Sequence, residues 1–193
     1  MTESLNGWPG LPDGDPRIRT AKIPGLGREV TLARACMPLF LHFLAAWHKE
    51  MTPRMKLFKG PIDGWEYRNA RQASGNLSNH ASGTAVDVLY TTVLPADGQK
   101  HMTPAELKIL DRILSRYVCA DGHRVLANGE WWKHADGMHT ELSQGWDRYA
   151  LRDTTAADVA YVIRKLRIQP DGTTRTLTAH MLHLLHLKRL ASS

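Results

Sequence analysis

The chain has 193 residues, 42% of them hydrophobic, and a formal net charge of +6 at pH 7 with a pI near 9.5. This length predicts one globular domain with a substantial core and excludes two full-sized domains. The positive charge favours an anionic partner such as a cell wall, a nucleic acid or a phospholipid surface. Since no run reaches the roughly 18 apolar residues that a membrane span needs, stable membrane insertion is not expected.

The N-terminus and the cysteines indicate where the protein is made. The sequence begins Met-Thr-Glu-Ser and lacks the basic patch and apolar stretch of a secretory signal peptide. Only two cysteines occur, Cys36 and Cys119, and Cys36 lies in an apolar run that is typical of a buried thiol. We therefore expect synthesis in the cytoplasm and no disulfide framework.

The first half of the chain alternates between loop-like, helical and β-like patterns. Residues 1–30 are rich in proline and glycine, which predicts an N-terminal loop or arm. Thr31 is a suitable N-cap for a helix that runs to about Met51, and Pro38 is expected to bend that helix. A small sheet with a long polar loop at 73–82 is predicted next. Its strands are expected at 55–58, 65–68 and 84–90.

The second half begins with a strong helix signal. Thr103-Pro-Ala-Glu106 is a capping box with proline at the first helical position, and it predicts a helix to about Tyr117. The other predicted elements are strands at 123–126 and 138–142, around the turn signal Asn128-Gly129, and helices at 156–166 and about 176–190. The last helix is apolar nearly all the way round, so it must pack on the domain, on a dimer partner, or on a wall or membrane.

The densest chemical signal is Ser78–Asp87, which has the sequence SNHASGTAVD. It places His80 at the end of a loop and Asp87 inside an apolar β-like run. A buried, ionised aspartate is costly unless a cation or several donors compensate its charge. Zinc would supply that compensation, because it binds histidine nitrogen and carboxylate oxygen at roughly 2.0–2.2 Å.

A third ligand is available in the segment Asp136-Gly-Met-His139, which leads into a short predicted strand. Three protein ligands leave one position for water, and this open position distinguishes a catalytic zinc site from a structural one. Asp136, three residues before His139, is the predicted base that takes the proton of that water. Glu130 and Glu141 are the alternatives.

The pattern Ser-x-His-x-x-Gly-x-Ala-x-Asp, followed by Asp-x-x-His, resembles the zinc D,D-carboxypeptidase and L-alanyl-D-glutamate endopeptidase family. This family includes vancomycin-resistance dipeptidases and many bacteriophage endolysins. The resemblance covers roughly residues 31–146. It implies that His80, Asp87 and His139 bind one zinc ion and that Asp136 is the general base. Aspartate at the base position looks more like the phage branch, in particular mycobacteriophage-type endolysin peptidase domains.

The resemblance also implies an arginine that orients the substrate. Arg68 lies close to the family's position for it, where a guanidinium can bind a stem-peptide carboxylate or an oxyanion. A plain structural ion pair is the alternative role, and Arg71 is the competing arginine. Ser78 is also a candidate substrate-binding residue. It is expected to orient the loop or a metal ligand, since metal ligands are held in place by hydrogen bonds from neighbouring residues.

Three further residues are candidates for substrate binding. Trp131 and Trp132 resemble the family's tryptophan-rich approach to the second histidine, where they would wall the substrate groove. Bulky core packing is the alternative reading for both. His134 lies close to the site in sequence, and it either contacts substrate or faces solvent.

The predicted protein is therefore an α+β hydrolase with a small, mainly antiparallel sheet that carries the zinc and helices packed on one side. Its parts are an arm at 1–30, a peptidase domain at 31–150 and a helical C-terminal extension at 151–193 that packs on the domain. We expect a monomeric phage endolysin that is made in the host cytoplasm and hydrolyses an amide bond in the peptidoglycan stem peptide. Which bond is cut stays open.

Two other function classes compete with this one. A wall-binding module on the same fold would keep the metal and lack turnover. A nucleic-acid-binding protein would fit the positive charge, but the basic residues are scattered and no helix-turn-helix, zinc finger or aromatic RNA-binding motif is recognisable. The sequence therefore favours a peptidoglycan partner and no nucleic acid.

Overall fold

A computed structural model describes residues 2–51, 57–70, 73–90, 100 and 102–175 of the chain. Within these ranges the fold is α+β, with small antiparallel sheets and three helices. The strands are β1 (Ile18–Lys22), β2 (Glu29–Ala33), β3 (Leu57–Asp63), β4 (Asn69–Ala70), β5 (Ala73–Leu77), β6 (Ala85–Tyr90), β7 (Leu126–Gly129) and β8 (Asp136–Leu142). The helices are α1 (Met37–Met51), α2 (Pro104–Leu114) and α3 (Ala156–Leu166).

The largest sheet has four antiparallel strands in the order β3-β6-β8-β7. Successive side chains on a strand point to opposite faces, so the sequence pattern decides what each face carries. Val86, Val88 and Leu142 belong to the hydrophobic core on one face. Asp87 on β6 is paired in register with His139 on β8, and both belong to the other face. The sheet therefore has an apolar face and a face that carries Asp87 and His139.

The three helices share one core cluster with the apolar face of the sheet. Helix α1 contributes many of the core residues, and Leu39, Phe40, Leu41 and Phe43 are fully buried. Helix α2 begins with the predicted capping box at Thr103, which the structure confirms. Helix α3 has the predicted bounds and its own capping box at Thr155. None of the helices in the described ranges is long and apolar enough to cross a membrane.

The N-terminal prediction was wrong in two ways. Residues 1–30 do not form only a loop, because β1 and β2 pair as an antiparallel hairpin. Thr31 is not a helix N-cap but a strand residue opposite Thr20. Helix α1 begins at Met37 instead, so Pro38 lies in the first turn, where its missing N–H costs no hydrogen bond and no kink is required. The predicted helix end at Met51 is correct.

Several other bounds differ from the sequence prediction. The stretch 65–68 is not a strand, and the predicted polar loop at 73–82 contains β5, which pairs with β4. Helix α2 ends at Leu114, three residues before the predicted end. Asn128-Gly129 is the end of β7 and not a tight turn. The first two residues of the strand predicted at 55–58 and the helix predicted at 176–190 lie outside the described residues. The predicted domain boundaries stay predictions.

Candidate metal centre

Three side chains from two separate segments converge on one point, as the sequence predicted. Nε2 of His80 lies 3.2 Å from Nδ1 of His139 and 3.2 Å from Oδ1 of Asp87. Nδ1 of His139 lies 2.8 Å from the same carboxylate oxygen. The three potential ligand atoms lie within 4.8 Å of one another, so this buried group could hold a metal ion.

The strand register brings two of these residues together, and a glycine positions the third. Asp87 and His139 are directly paired across β6 and β8. His80 lies in the turns between β5 and β6, where Gly83 has a φ of +64°. A Cβ on Gly83 would lie 2.4 Å from the backbone nitrogen of Ala33. The motif glycine is therefore required both by its left-handed backbone and by the close approach of β2.

Each imidazole has one ring nitrogen that points away from the three-residue group and is held by a hydrogen bond, so the other ring nitrogen points into the group. Nδ1 of His80 lies 2.5 Å from the carbonyl oxygen of Gly64, to which it donates. Nε2 of His139 lies 2.8 Å from Oε2 of Glu141, to which it donates. These contacts leave Nε2 of His80 and Nδ1 of His139 directed at each other and at the Asp87 carboxylate. A metal ligand is typically held by an outer carboxylate or carbonyl in this way.

The electrostatics of the cluster show strong mutual coupling. Burial raises the pKa of Asp87, but hydrogen bonds from His139 and His80 outweigh burial and hold the pKa of this carboxyl well below its usual range. Burial lowers the pKa of His139, yet the carboxylates of Asp87 and Glu141 raise it well above its usual value. The centre therefore keeps Asp87 ionised, as a metal ligand must be.

Asp136, the predicted base, begins β8 and interacts electrostatically with all three candidate ligands. Its Oδ1 is buried and has no hydrogen-bond partner among the residues the structure describes. Burial and the nearby Asp87 carboxylate raise the pKa of Asp136. A buried carboxylate oxygen without a donor is costly, so this atom is suited to accept a proton or a hydrogen bond.

The two alternative bases have other partners. Oε2 of Glu141 contacts His139 and also accepts a 2.6 Å hydrogen bond from Asn79. Glu141 therefore supports a ligand, and its carboxylate is already engaged. Glu130 is buried, and its Oε1 accepts a hydrogen bond from the backbone N–H of Met102.

The predicted substrate-orienting residues have mainly local contacts. Nε of Arg68 donates to Oε2 of Glu66 at 2.5 Å, and its side chain is 25% exposed. This is the ion pair that was the alternative reading, although the exposed guanidinium is also accessible to a substrate. Oγ of Ser78 accepts the backbone N–H of His80 at 3.3 Å, so Ser78 contacts the ligand loop directly. Arg71 lies outside the described residues.

The two tryptophans have different surroundings. The ring of Trp132 lies 5.3 Å from the ring of His139 and 5.5 Å from that of Trp146. Trp131 packs against the core, and the guanidinium of Arg148 lies 5.4 Å from its ring. Both tryptophans line a cleft of about 240 Å³ beside the centre. His134 is exposed, as the solvent-facing reading expected.

Sequence reasoning did not identify every neighbour of the centre. Glu141 was considered only as a base, although its position two residues after His139 on a strand already put both side chains on one face. Asp63 is paired in register with Asp87, and burial together with the Asp87 charge raises the pKa of Asp63. Neither Asp63 nor the Gly64 carbonyl had a local signal, because both reach the site through the pairing of β3 with β6.

Comparisons of this chain with protein-family models, with curated proteins and with solved structures find no match. The arrangement of the side chains therefore carries the functional argument.

Proposed function

We propose that this protein is a zinc-dependent hydrolase that cleaves an amide bond in the peptidoglycan stem peptide or cross-link, and that it acts as a bacteriophage endolysin. One observation carries the proposal. Three potential ligand atoms, from His80, Asp87 and His139, face one another, and the Asp136 carboxylate, whose Oδ1 is buried without a hydrogen-bond partner among the described residues, interacts with all three side chains.

The donor set fits zinc. Two imidazole nitrogens with one carboxylate oxygen suit zinc and other late transition metals, whereas magnesium and calcium prefer oxygen ligands throughout. A tetrahedral zinc with ligands at about 2.0–2.1 Å would hold the ligand atoms roughly 3.3 Å apart. The observed separations of 2.8 and 3.2 Å are close to that spacing. Three protein ligands leave a fourth position for water, as a catalytic site requires.

In the proposed reaction, zinc supplies Lewis-acid activation of the water and of the scissile carbonyl. His80, Asp87 and His139 would hold the ion, and Glu141 keeps His139 in its ligating tautomer. Asp136 accepts the proton of the attacking water at Oδ1 and passes it to the leaving amine. Arg68 binds a carboxylate of the stem peptide. Because water attacks directly, no covalent enzyme intermediate forms.

The choice of substrate draws on the sequence resemblance and on the surface. The net charge of +6 favours an anionic polymer, and the cleft beside Trp132 is lined by Arg124, Lys133 and Arg148 as well as by aromatic rings. Such a surface suits a carboxylate-bearing peptide attached to glycan. As an endolysin, the monomer would be made in the host cytoplasm and act on the wall once the membrane is breached.

The test is hydrolysis of purified sacculi by the zinc-loaded protein, followed by mass spectrometry of the released muropeptides. We expect release by the wild type and a loss of about 10²- to 10⁴-fold in Asp136→Asn, which keeps the shape of the side chain but not its basicity. Zinc content should not change in Asp136→Asn. The muropeptide masses would also identify the bond that is cut.

Two other outcomes would contradict the proposal. An Asp136→Asn variant with wild-type turnover would remove Asp136 as the base. A wild type that binds zinc and sediments with sacculi but releases nothing would instead be a wall-binding module on the same fold. As a matched control, Asp13→Asn makes the same chemical change at an exposed position and should lyse normally.

A further inference from the structure

We propose that Asn79 and the N-terminal segment Ser4–Asn6 are positioning residues of the metal centre, which act on His139 through Glu141. The inference rests on the metal-binding part of the proposed function and adds residues outside the ligand set. It assigns a role to a segment that the sequence pattern marked only as an arm.

The first step runs from the ligand to Glu141. This carboxylate is 2% exposed, and both of its oxygens are engaged. Oε2 contacts Nε2 of His139 at 2.8 Å and accepts from Nδ2 of Asn79 at 2.6 Å, while Oε1 accepts from Nε2 of Gln144 at 2.6 Å. The two amides hold the carboxylate in a single orientation that faces the imidazole. Its negative charge then keeps the His139 proton on Nε2 and leaves Nδ1 available to a metal.

The second step runs through Asn79, which is 2% exposed and directly precedes the ligand His80. Its backbone carbonyl accepts from the backbone N–H of Thr84 at 3.1 Å and from the hydroxyl of Ser82 at 3.0 Å. Its side chain reaches across to Glu141. One residue therefore ties the loop that carries His80 to the strand that carries His139.

The third step brings in the N-terminal segment. The side-chain oxygen of Asn79 accepts the backbone N–H of Asn6 at 2.9 Å, so its amide group points toward Glu141. Nδ2 of Asn6 donates to Oγ1 of Thr84 at 2.9 Å, and Oγ of Ser4 donates to Oγ of Ser82 at 2.9 Å. Ser4 and Asn6 are 5% and 2% exposed. The segment thus packs on the loop that carries His80 through buried polar contacts. Removing one partner of such a contact is costly in free energy, because it leaves a buried polar group without a hydrogen bond.

The test compares zinc affinity, measured by competition with a chromophoric chelator, in Asn79→Ala and in the matched control Asn128→Ala. Asn128 is an equally buried asparagine, but its amide donates to the backbone carbonyl of Gly137 and to the hydroxyl of Thr140 and not to Glu141. We expect a loss of zinc affinity of about 10- to 100-fold in Asn79→Ala. Asn128→Ala should reduce thermal stability to a similar extent and leave zinc affinity within about twofold of wild type.

Two further variants keep the test decisive. Asn79→Asp puts a second carboxylate against Glu141 and should weaken zinc binding more than alanine does. Asn6→Ala removes the side-chain bonds to Thr84, Leu142 and Ser4 and keeps the backbone N–H that binds Asn79. It therefore tests the N-terminal segment even where Asn79→Ala fails to fold, with an expected loss of zinc affinity of at least about threefold. In the zinc-loaded protein, the Nε2 proton of His139, which Glu141 accepts, should shift in ¹H–¹⁵N spectra of Asn79→Ala and not of Asn128→Ala.

The outcomes separate this inference from the proposed function. A wild type that binds zinc, with Asn79 and Asn6 variants that bind equally well, would overturn the positioning role alone. Equal losses in Asn79→Ala and Asn128→Ala would also overturn it, since a general effect of buried asparagine would then explain both. A wild type that binds no zinc would overturn the proposed function, and the positioning role with it.

Discussion

Two buried aspartates of this protein, Asp87 and Asp158, are satisfied in different ways. Asp158 lies in the capping box of α3, where Arg152 binds both of its oxygens at 2.6 and 2.8 Å and the backbone N–H of Thr155 adds a third donor. Asp87 has two ion-pair partners, and both are histidines whose other ring nitrogens are bound elsewhere. The first carboxylate is neutralised by a permanent cation of the chain, whereas the second faces two imidazoles, each of which can gain or lose a proton.

The difference separates a carboxylate paired with an arginine from a candidate metal ligand. A guanidinium is always protonated, so the Asp158 site is complete in the folded chain alone. An imidazole can lose its proton and lend its lone pair to a metal, so the group at Asp87 could exchange the charge of a protonated histidine for that of a metal ion. A buried carboxylate therefore indicates a metal site only where its neighbours, such as histidines, can lose a proton and bind a metal through the nitrogen that becomes free.

The largest expected effect is the loss of the ligands themselves. In the double variant His80→Ala/His139→Ala, zinc measured by mass spectrometry after dialysis should fall from about one ion per chain to below about 0.1, because a single carboxylate does not retain zinc. The exposed His134→Ala is the matched control and should keep its zinc. Full zinc content in the double variant would reject the ligand assignment.

An intermediate effect is expected at Asp158. Burial raises the pKa of this carboxyl, but hydrogen bonds from Arg152 and Thr155 outweigh burial and hold the pKa well below its usual range. Asp158→Asn should lower the free energy of unfolding by about 1–3 kcal/mol at pH 7, as measured by urea denaturation. Zinc content should not change.

The pH dependence of that loss has a defined sign. Because the folded-state pKa of Asp158 lies below the unfolded value, its contribution is complete above about pH 4 and declines as the pH falls further. The stability difference between wild type and Asp158→Asn should therefore shrink on acidification. A difference that grows below pH 4 would contradict the assigned cause. Asp13→Asn, at an exposed position, should show neither effect.

The smallest effect on stability is expected at Arg68. Its pair with Glu66 is partly exposed, and such pairs contribute about 0–1 kcal/mol. Arg68→Ala should therefore change the unfolding free energy little. If Arg68 binds substrate, KM or kcat for muropeptides changes at least about tenfold in Arg68→Ala and stays near wild type in Glu66→Gln. Equal, small changes in both variants would leave Arg68 as a structural ion pair.

The sequence by itself determined the features that depend on neighbouring residues. The capping box at Thr103 and the bounds of α3 follow from local hydrogen-bonding rules, and the structure has both. His80, Asp87 and His139 could be selected as ligands because a charged residue in an apolar run requires compensation. The N-terminal hairpin was not predicted, since the proline and glycine content of residues 1–30 conceals the pairing of β1 with β2.

Tertiary structure alone decided how the selected residues meet. The register that pairs Asp87 with His139, the Gly64 carbonyl that orients His80, and the contact of Asn6 with Asn79 all join residues distant in sequence. No local pattern encodes these contacts, because strand pairing and loop closure depend on the packing of the whole chain. The sequence therefore determined which chemical groups are available, and the fold determined the geometry that brings three side chains together as one candidate metal centre.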